Sequence, residues 1–416
     1  MKNCLGVFPG LVLLLFLFPR IVQSNSAIDE NRSSLNYKGI VGVDFLGTGN
    51  DEIVGDFGEK GVWSIGLVGM TTGWVQLTAN NPEWIIVGDF DGNGGEELCA
   101  DFGSAGVWIY DINSWPRWQR ITYNNPHFGL VVDEYEDIGE GWENLPAMEL
   151  MFDFDSQGLW IYDPTDNGWS KEIYANAEFA LRGKFGGDWY TDEFFDYGSL
   201  GCWIRFGGWL GLWDQESTAN PQAMVAGRFD PGSHSYKVVC DFGISVGVWI
   251  WDLTFTKISS LIPEAMQAVQ FDFLFESYDD ELAADFGSQG LWFFNPTGNG
   301  DYSGTWTQIA GADPGPMLAA RTGSLDENLI VDFESLGVWI YSADIGFCTP
   351  PSSCFPIGWT KIAANNPDVL VRIKMENSDE WLVGDFGPAG LWIFYFDDTT
   401  SSYKWTKIAA NSIPEF

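Results

Sequence analysis

The 416-residue sequence carries 58 acidic against 20 basic side chains, a formal net charge of −38, together with 22 tryptophans and 49 glycines. A chain so acidic repels phosphate backbones and anionic lipid, which argues against nucleic acid as a partner. Two histidines, His127 and His234, are too few for a zinc centre built from His and Cys, whereas the acidic excess suits calcium, a basic partner or simple solubility.

Residues 1–24 read as a secretory signal. Lys2 precedes an apolar run over residues 11–18, and small polar residues follow at 24–27. The run is too short to span a bilayer and no later segment is more apolar, so the expectation is a secreted, extracellular monomer without a membrane span. Cleavage would remove Lys2 and Arg20 and take the charge from −38 to −40. Residues 25–36 read as a flexible arm, in which Asn31-Arg-Ser33 forms a glycosylation sequon.

From residue 37 to 416 one unit recurs. Its best copy is Asp101-Phe-Gly-Ser-Ala-Gly-Val-Trp-Ile-Tyr110, and it returns from Asp56, Asp153, Asp196, Asp241, Asp285, Asp332 and Asp385. The tryptophans at 63, 108, 160, 203, 249, 292, 339 and 392 lie 43 to 53 residues apart, the period of a repeat architecture. Around each unit are four short runs of alternating apolar and polar residues. In the second copy they cover residues 84–90, 97–102, 106–111 and 118–122, with Gly, Asn, Asp or Pro between them. After the fourth run comes a tight link ending in proline, such as Asn80-Asn81-Pro82, Asn124-Asn125-Pro126 or Asn365-Asn366-Pro367.

Four strands repeated eight times predict an all-β fold: a single eight-bladed β-propeller of four-stranded antiparallel blades. A lone four-stranded sheet leaves both faces wet, so each blade must pack on its neighbours and the ring must close. Strand parity places the Asp-Phe-Gly turns and the Asn-Asn-Pro links on one face. Insertions at 134–147, 205–212 and 342–358 interrupt the pattern. Cys348 and Cys354 lie within the last one, flanking the short loop 349–353, and are expected to pair in an oxidising compartment. Cys99, Cys202 and Cys240 fall inside apolar strand patterns and read as buried thiols.

The most specific chemistry lies in the first turn of blade two. Asp89, Asp91, Asn93, the Gly95 carbonyl and Glu97 occupy alternate positions, as a loop wrapping hard oxygen ligands around calcium requires. This stretch resembles the FG-GAP/VCBS repeat, the propeller family that includes the integrin alpha-chain head. There the pattern is Asp-x-Asp-x-Asn/Asp-Gly-x-x-Asp between the first and second strands, and here Glu97 stands for the last Asp. The resemblance implies a structural calcium and an adhesion or ligand-binding role. It is carried by residues 89–97 and fades elsewhere. Blade one keeps Asp44 and Glu52 but has Leu46 and Thr48 between them, and blades four to eight place Lys184, Arg228, Gln270, Arg321 and Lys374 at the first-ligand position.

The repeated Asp and Trp read first as structural: Trp to fill the wedge between sheets, Asp to satisfy turn amides. The functional reading is a set of equivalent sugar pockets, with candidate residues Asn80, Asn81, Asp101, Ser104, Trp108, Asn124, Asn125, Asn365 and Asn366. The expectation is thus a non-catalytic recognition or adhesion module taking carbohydrate, or else an extracellular protein. Two alternatives stay open: a polysaccharide lyase or glycoside hydrolase, for which Glu134, Glu136 and Asp137 are the best acidic group, and a structural surface protein. No residue earns a catalytic role. The literal matches to a hydrolase elbow (residues 243–247) and to a kinase DFG lack the helix and lysine strand those motifs need.

Overall fold

The computed structural model describes residues 39–66, 73–132, 147–187, 191–207, 211–229, 235–271, 280–296, 302, 304–322, 327–343, 357–375, 379–397, 400 and 402–409. The expected signal and arm, Cys348, Cys354 and all of the 134–147 insertion except Ala147 lie outside the described residues.

Eight antiparallel sheets of four consecutive strands form a closed ring, an eight-bladed β-propeller. Blade two illustrates the rest, with strands Trp84–Gly88, Glu97–Asp101, Val107–Tyr110 and Trp118–Thr122. Burial falls from the inner strands outward: the first two are buried at every residue, and the fourth is half-buried or exposed throughout. Among the described residues no helix is long and apolar enough to cross a membrane.

The repeated unit shapes each blade's second turn. The Asp side chain accepts the backbone N–H two residues on in all eight copies, at 2.7–2.9 Å. The Phe or Tyr after it packs on the aromatic residue that opens the fourth strand, with ring centroids 5.1–6.3 Å apart in every blade. The glycine before the third strand is required on two counts: Gly106 has φ +81°, and a Cβ there would lie 2.0 Å from the Thr122 carbonyl.

The tryptophan of the unit contributes to the wedge between sheets only in part: Trp160, Trp203, Trp249 and Trp339 pack against the core between blades. All eight copies are half-buried on the third strand, near the outer edge. The fourth-strand aromatics, likewise half-buried, pack against that core in all eight blades. Trp118, Trp306, Trp359 and Trp405 each donate Nε1 to a carbonyl on, or directly after, the fourth strand of the preceding blade (Leu77, Ile258, Ile309 and Ile362) at 2.9–3.0 Å.

Inner strands are joined by a reciprocal clasp. A residue at the end of one blade's first strand and one at the start of the next blade's second strand exchange hydrogen bonds. Asp44 N donates to Glu96 Oε2 (2.7 Å) while Glu96 N donates to the Asp44 carbonyl (2.8 Å). The same clasp joins Arg228 to Asp280, Gln270 to Glu327 and Arg321 to Glu380. Lys374 and Asp51 make it across the seam between blades eight and one. The ring therefore closes without strand exchange. Cys99, Cys202 and Cys240 are free, buried thiols, as their strand positions predict.

Candidate functional site

Two regions bring chemistry-bearing residues together. The first is the turn after Trp84–Gly88 in blade two. Gly92 and Gly94, at φ +71° and +87°, bend it sharply. Asp89 Oδ1 accepts Gly92 N (2.8 Å) and Asn93 N (3.1 Å), and its Oδ2 accepts Gly94 N (2.8 Å). Glu97 Oε2 accepts Phe90 N at 2.7 Å. One oxygen each of Asp89, Asp91 and Glu97 lies within 4.8 Å of the others. Asn93 is turned into the loop: its amide donates to Asp91 Oδ2 (2.7 Å) and its side-chain oxygen accepts Gly95 N (2.7 Å).

Blade one shows which part of this is scaffold. Asp44 accepts Thr48 N, and Glu52 accepts Phe45 N at 3.2 Å, so the outer Asp and the Glu shape the turn with no ligands between them. Asp91 is what blade two adds. A further acid faces the group: the register Leu98↔Tyr110 sets Glu97 opposite Asp111. Like charges directly opposite are unfavourable. Other blades resolve the same pair, as Lys237–Asp252 (2.6 Å) in blade five and the stacked rings of Trp381 and Tyr395 (4.6 Å) in blade eight. Burial pushes Glu97 up to about 8, and the charges of Asp91, Asp89 and Asp111 add to it. The donor set, three converging carboxylates and no soft ligand, suits a hard divalent cation.

The second region is the face carrying the Asp-Phe-Gly turns and the links, and the two do meet there. Ala177 N, in the link after blade three, donates to Asp153 Oδ2 at 2.7 Å, and Glu83 N donates to the Asp101 carbonyl at 2.7 Å. Asp101 itself is fully buried, one oxygen on Gly103 N, so its carboxylate holds the turn and does not reach solvent. Burial lifts it to about 7, the Gly103 N–H opposing and the Glu83 charge adding. Ser104, Asn80, Asn81, Asn124, Asn125, Asn365 and Asn366 are exposed along this face, and Trp108 is half-buried beside it. In blade six Glu264, Asp285 and Asp313 converge at the same place.

Around the rim every repeat tryptophan is fixed in the same way. Its Nε1 donates to the carbonyl three residues earlier, at 2.8–3.2 Å in all eight blades. Across from it on the fourth strand stands a long donor side chain: Gln76, Arg120, Lys171, Gln215, Lys257, Gln308, Lys361 or Lys407. The five cations lie 5.0–5.9 Å from the indole centroid. The glutamines donate instead to the same turn carbonyl as the indole. In blades two and three a tyrosine extends the group: Arg120 lies 3.4 Å from the Tyr123 ring and Lys171 lies 3.3 Å from the Tyr174 ring, and both tyrosines are exposed. Reading the repeat unit missed these partners. The signal was available, since each sits two residues after the fourth-strand aromatic.

No family model matches the chain, and no curated protein matches it. Solved structures are similar at a distance. BBS1N in complex with ARL6DN is 12% identical over 72% of this chain and 90% of that chain, with a TM-score of 0.45. An Agrocybe aegerita lectin recognising non-reducing terminal N-acetylglucosamine is 15% identical over 67% and 83%, at 0.43. The exotype rhamnogalacturonan lyase YesX is 12% identical over 94% and 75%, at 0.36. The eight-bladed ring rests on the strand pairing described above.

Proposed function

We propose that this protein is a secreted, non-catalytic carbohydrate-binding propeller with several equivalent sites, of the FG-GAP/VCBS type, and that its blade-two turn takes calcium. The observation that carries the sugar reading is the rim: eight half-buried indoles, each with its N–H tied to its own turn and a Lys, Arg or Gln facing it. A tied indole presents a face of fixed orientation on which the C–H side of a sugar can lie, and the facing amine, guanidinium or amide is a donor for hydroxyls. The exposed asparagines of the links follow the fourth strands that carry these donors. Repetition around one ring makes binding multivalent, so avidity exceeds the affinity of any single site.

Asp89, Asp91 and Glu97 are the residues that would hold calcium. When bound, the ion neutralises carboxylates that otherwise repel one another and stiffens the turn. Asp89 and Glu97 keep the loop folded through the backbone N–H groups they already accept.

A glycan array with the wild-type chain and Trp108→Ala tests the reading. Binding to a defined sugar class, weakened by Trp108→Ala and more strongly by the same change in two blades, supports it. An array without hits sinks it, and release of reducing ends or unsaturated sugars from a polysaccharide panel would move the assignment to an enzyme.

A further inference from the structure

Of the eight donors that face the rim indoles from the fourth strand, five are already satisfied within the protein. Gln76, Gln215 and Gln308 donate to the turn carbonyls of Lys60, Leu200 and Gln289, and Lys171 donates to that of Gln157. Arg120 donates to the Tyr123 hydroxyl. Lys257, Lys361 and Lys407, in blades five, seven and eight, are exposed. Among the described residues none of the three has a hydrogen-bond acceptor or a carboxylate partner. Each keeps only its own indole, 5.7–5.9 Å from the ring centroid of Trp249, Trp339 or Trp392. A chain with 58 carboxylates thus sets three cations on aromatic platforms at one register and pairs none of them.

Blades two and three show what the three lysines lack. Three residues after the cation stand Tyr123 and Tyr174, with their rings 3.4 Å and 3.3 Å from it. The same position holds Ser260 in blade five, Ala364 in blade seven and Ala410, outside the described residues, in blade eight. Tyr123 is a six-membered ring that gives an oxygen to the guanidinium, so the molecule itself shows what the place beside the cation accepts. Ser260 and Ala364 are exposed and too small to fill that place.

We infer that Lys257, Lys361 and Lys407, each with its facing indole, select an acidic sugar whose carboxylate stands on the ring. The inference rests on the carbohydrate reading of the rim and names the class of sugar. A uronate brings a six-membered ring to the place tyrosine takes in blades two and three. Its carboxylate meets the ammonium while its C–H face lies on the indole. A hydrogen bond between charged groups is about twice as strong as a neutral one, which separates a uronate from the matching neutral sugar. An acidic peptide would satisfy the lysines but brings no such ring to the indoles. The glutamines of blades one, four and six carry no charge, and the tyrosines of blades two and three already cover theirs. The net charge of −38 does not oppose this, because charges more than about 10 Å apart are largely screened at roughly 0.1 M salt. A carboxylate in contact with an ammonium is not. Three sites on one ring suit a polymer, whose repeated carboxylates engage them together.

The test uses the full chain in EDTA, so that calcium cannot bridge, with polygalacturonate and its methyl ester as ligands in calorimetry. The two polymers share one ring and differ in its charge. Polygalacturonate should bind about tenfold more tightly than the ester. Changing Lys257→Gln, Lys361→Gln and Lys407→Gln together copies the glutamine blades, and should abolish that preference at an unchanged melting temperature. Ser260→Tyr with Ala364→Tyr copies blades two and three, and should reduce the preference with all three lysines in place. Equal binding of the two polymers overturns the inference, and if Trp249→Ala weakens both, the carbohydrate reading stands. A preference that survives the triple lysine change also overturns it, as does poly-L-glutamate bound as tightly as polygalacturonate. Failure of both polymers beside an array hit for a neutral glycan ends this inference alone. Failure to bind any glycan ends both.

Discussion

Lys374 and Asp51, 323 residues apart, close the ring: Lys374 N donates to Asp51 Oδ2 at 2.7 Å, and Asp51 N returns a bond to the Lys374 carbonyl at 3.0 Å. The pair repeats, across the seam, the clasp that joins neighbouring blades elsewhere.

Asp51 is buried, so Asp51→Ala strands the Lys374 N–H without its acceptor. The expected loss is about 1–3 kcal/mol, with Asp51→Asn milder because it keeps an acceptor oxygen. Thermal or urea unfolding of the three chains measures this, and equal stability for all three would show that the clasp does not hold the seam.

The two tryptophans of blade two should behave oppositely. Trp118, half-buried, packs against the core shared by blades one and two with its Nε1 on Leu77, so Trp118→Ala should cost about 3 kcal/mol. Trp108 is half-buried on the rim, so Trp108→Ala should cost about 1 kcal/mol while weakening glycan binding. Unfolding curves paired with binding isotherms separate the two.

Stability should rise on mild acidification. Burial lifts Asp101 and Asp196 to about 7, and Asp153 and Asp332 to about 6, against an ordinary 3.8; backbone N–H groups oppose the rise at each. The folded chain then binds more protons than the unfolded chain between about pH 4 and 7, so unfolding free energy falls as pH rises through that window. The melting temperature should be higher at pH 5.5 than at pH 8. Asp101→Asn, which keeps the acceptor for Gly103 N without a charge, should flatten part of the slope. A melting temperature that climbs from pH 5.5 to 8 would contradict the assignment.

Calcium should raise the melting temperature of the wild type and not that of Asp91→Ala. Asp89 and Glu97 frame the turn in both chains, so the folded structure should persist without the ion. Circular dichroism with and without EDTA, beside calorimetric titration, checks both halves.

The sequence by itself determined the number of blades, the four strands of each, the face shared by the Asp turns and the links, and the burial of Cys99, Cys202 and Cys240. All of these follow from strand periodicity and turn chemistry repeated at one register, which are local properties of the chain. Only the tertiary structure decided which tryptophan was core and which was rim. Trp108 and Trp118 are both large, apolar and half-buried, and their difference is that Trp118 packs on the core shared with blade one. The clasps, the facing of Glu97 and Asp111, and the close approach of Gly47 to Gly94 were likewise out of reach. Each joins residues from different strands or blades, and such contacts depend on how the sheets pack around the ring.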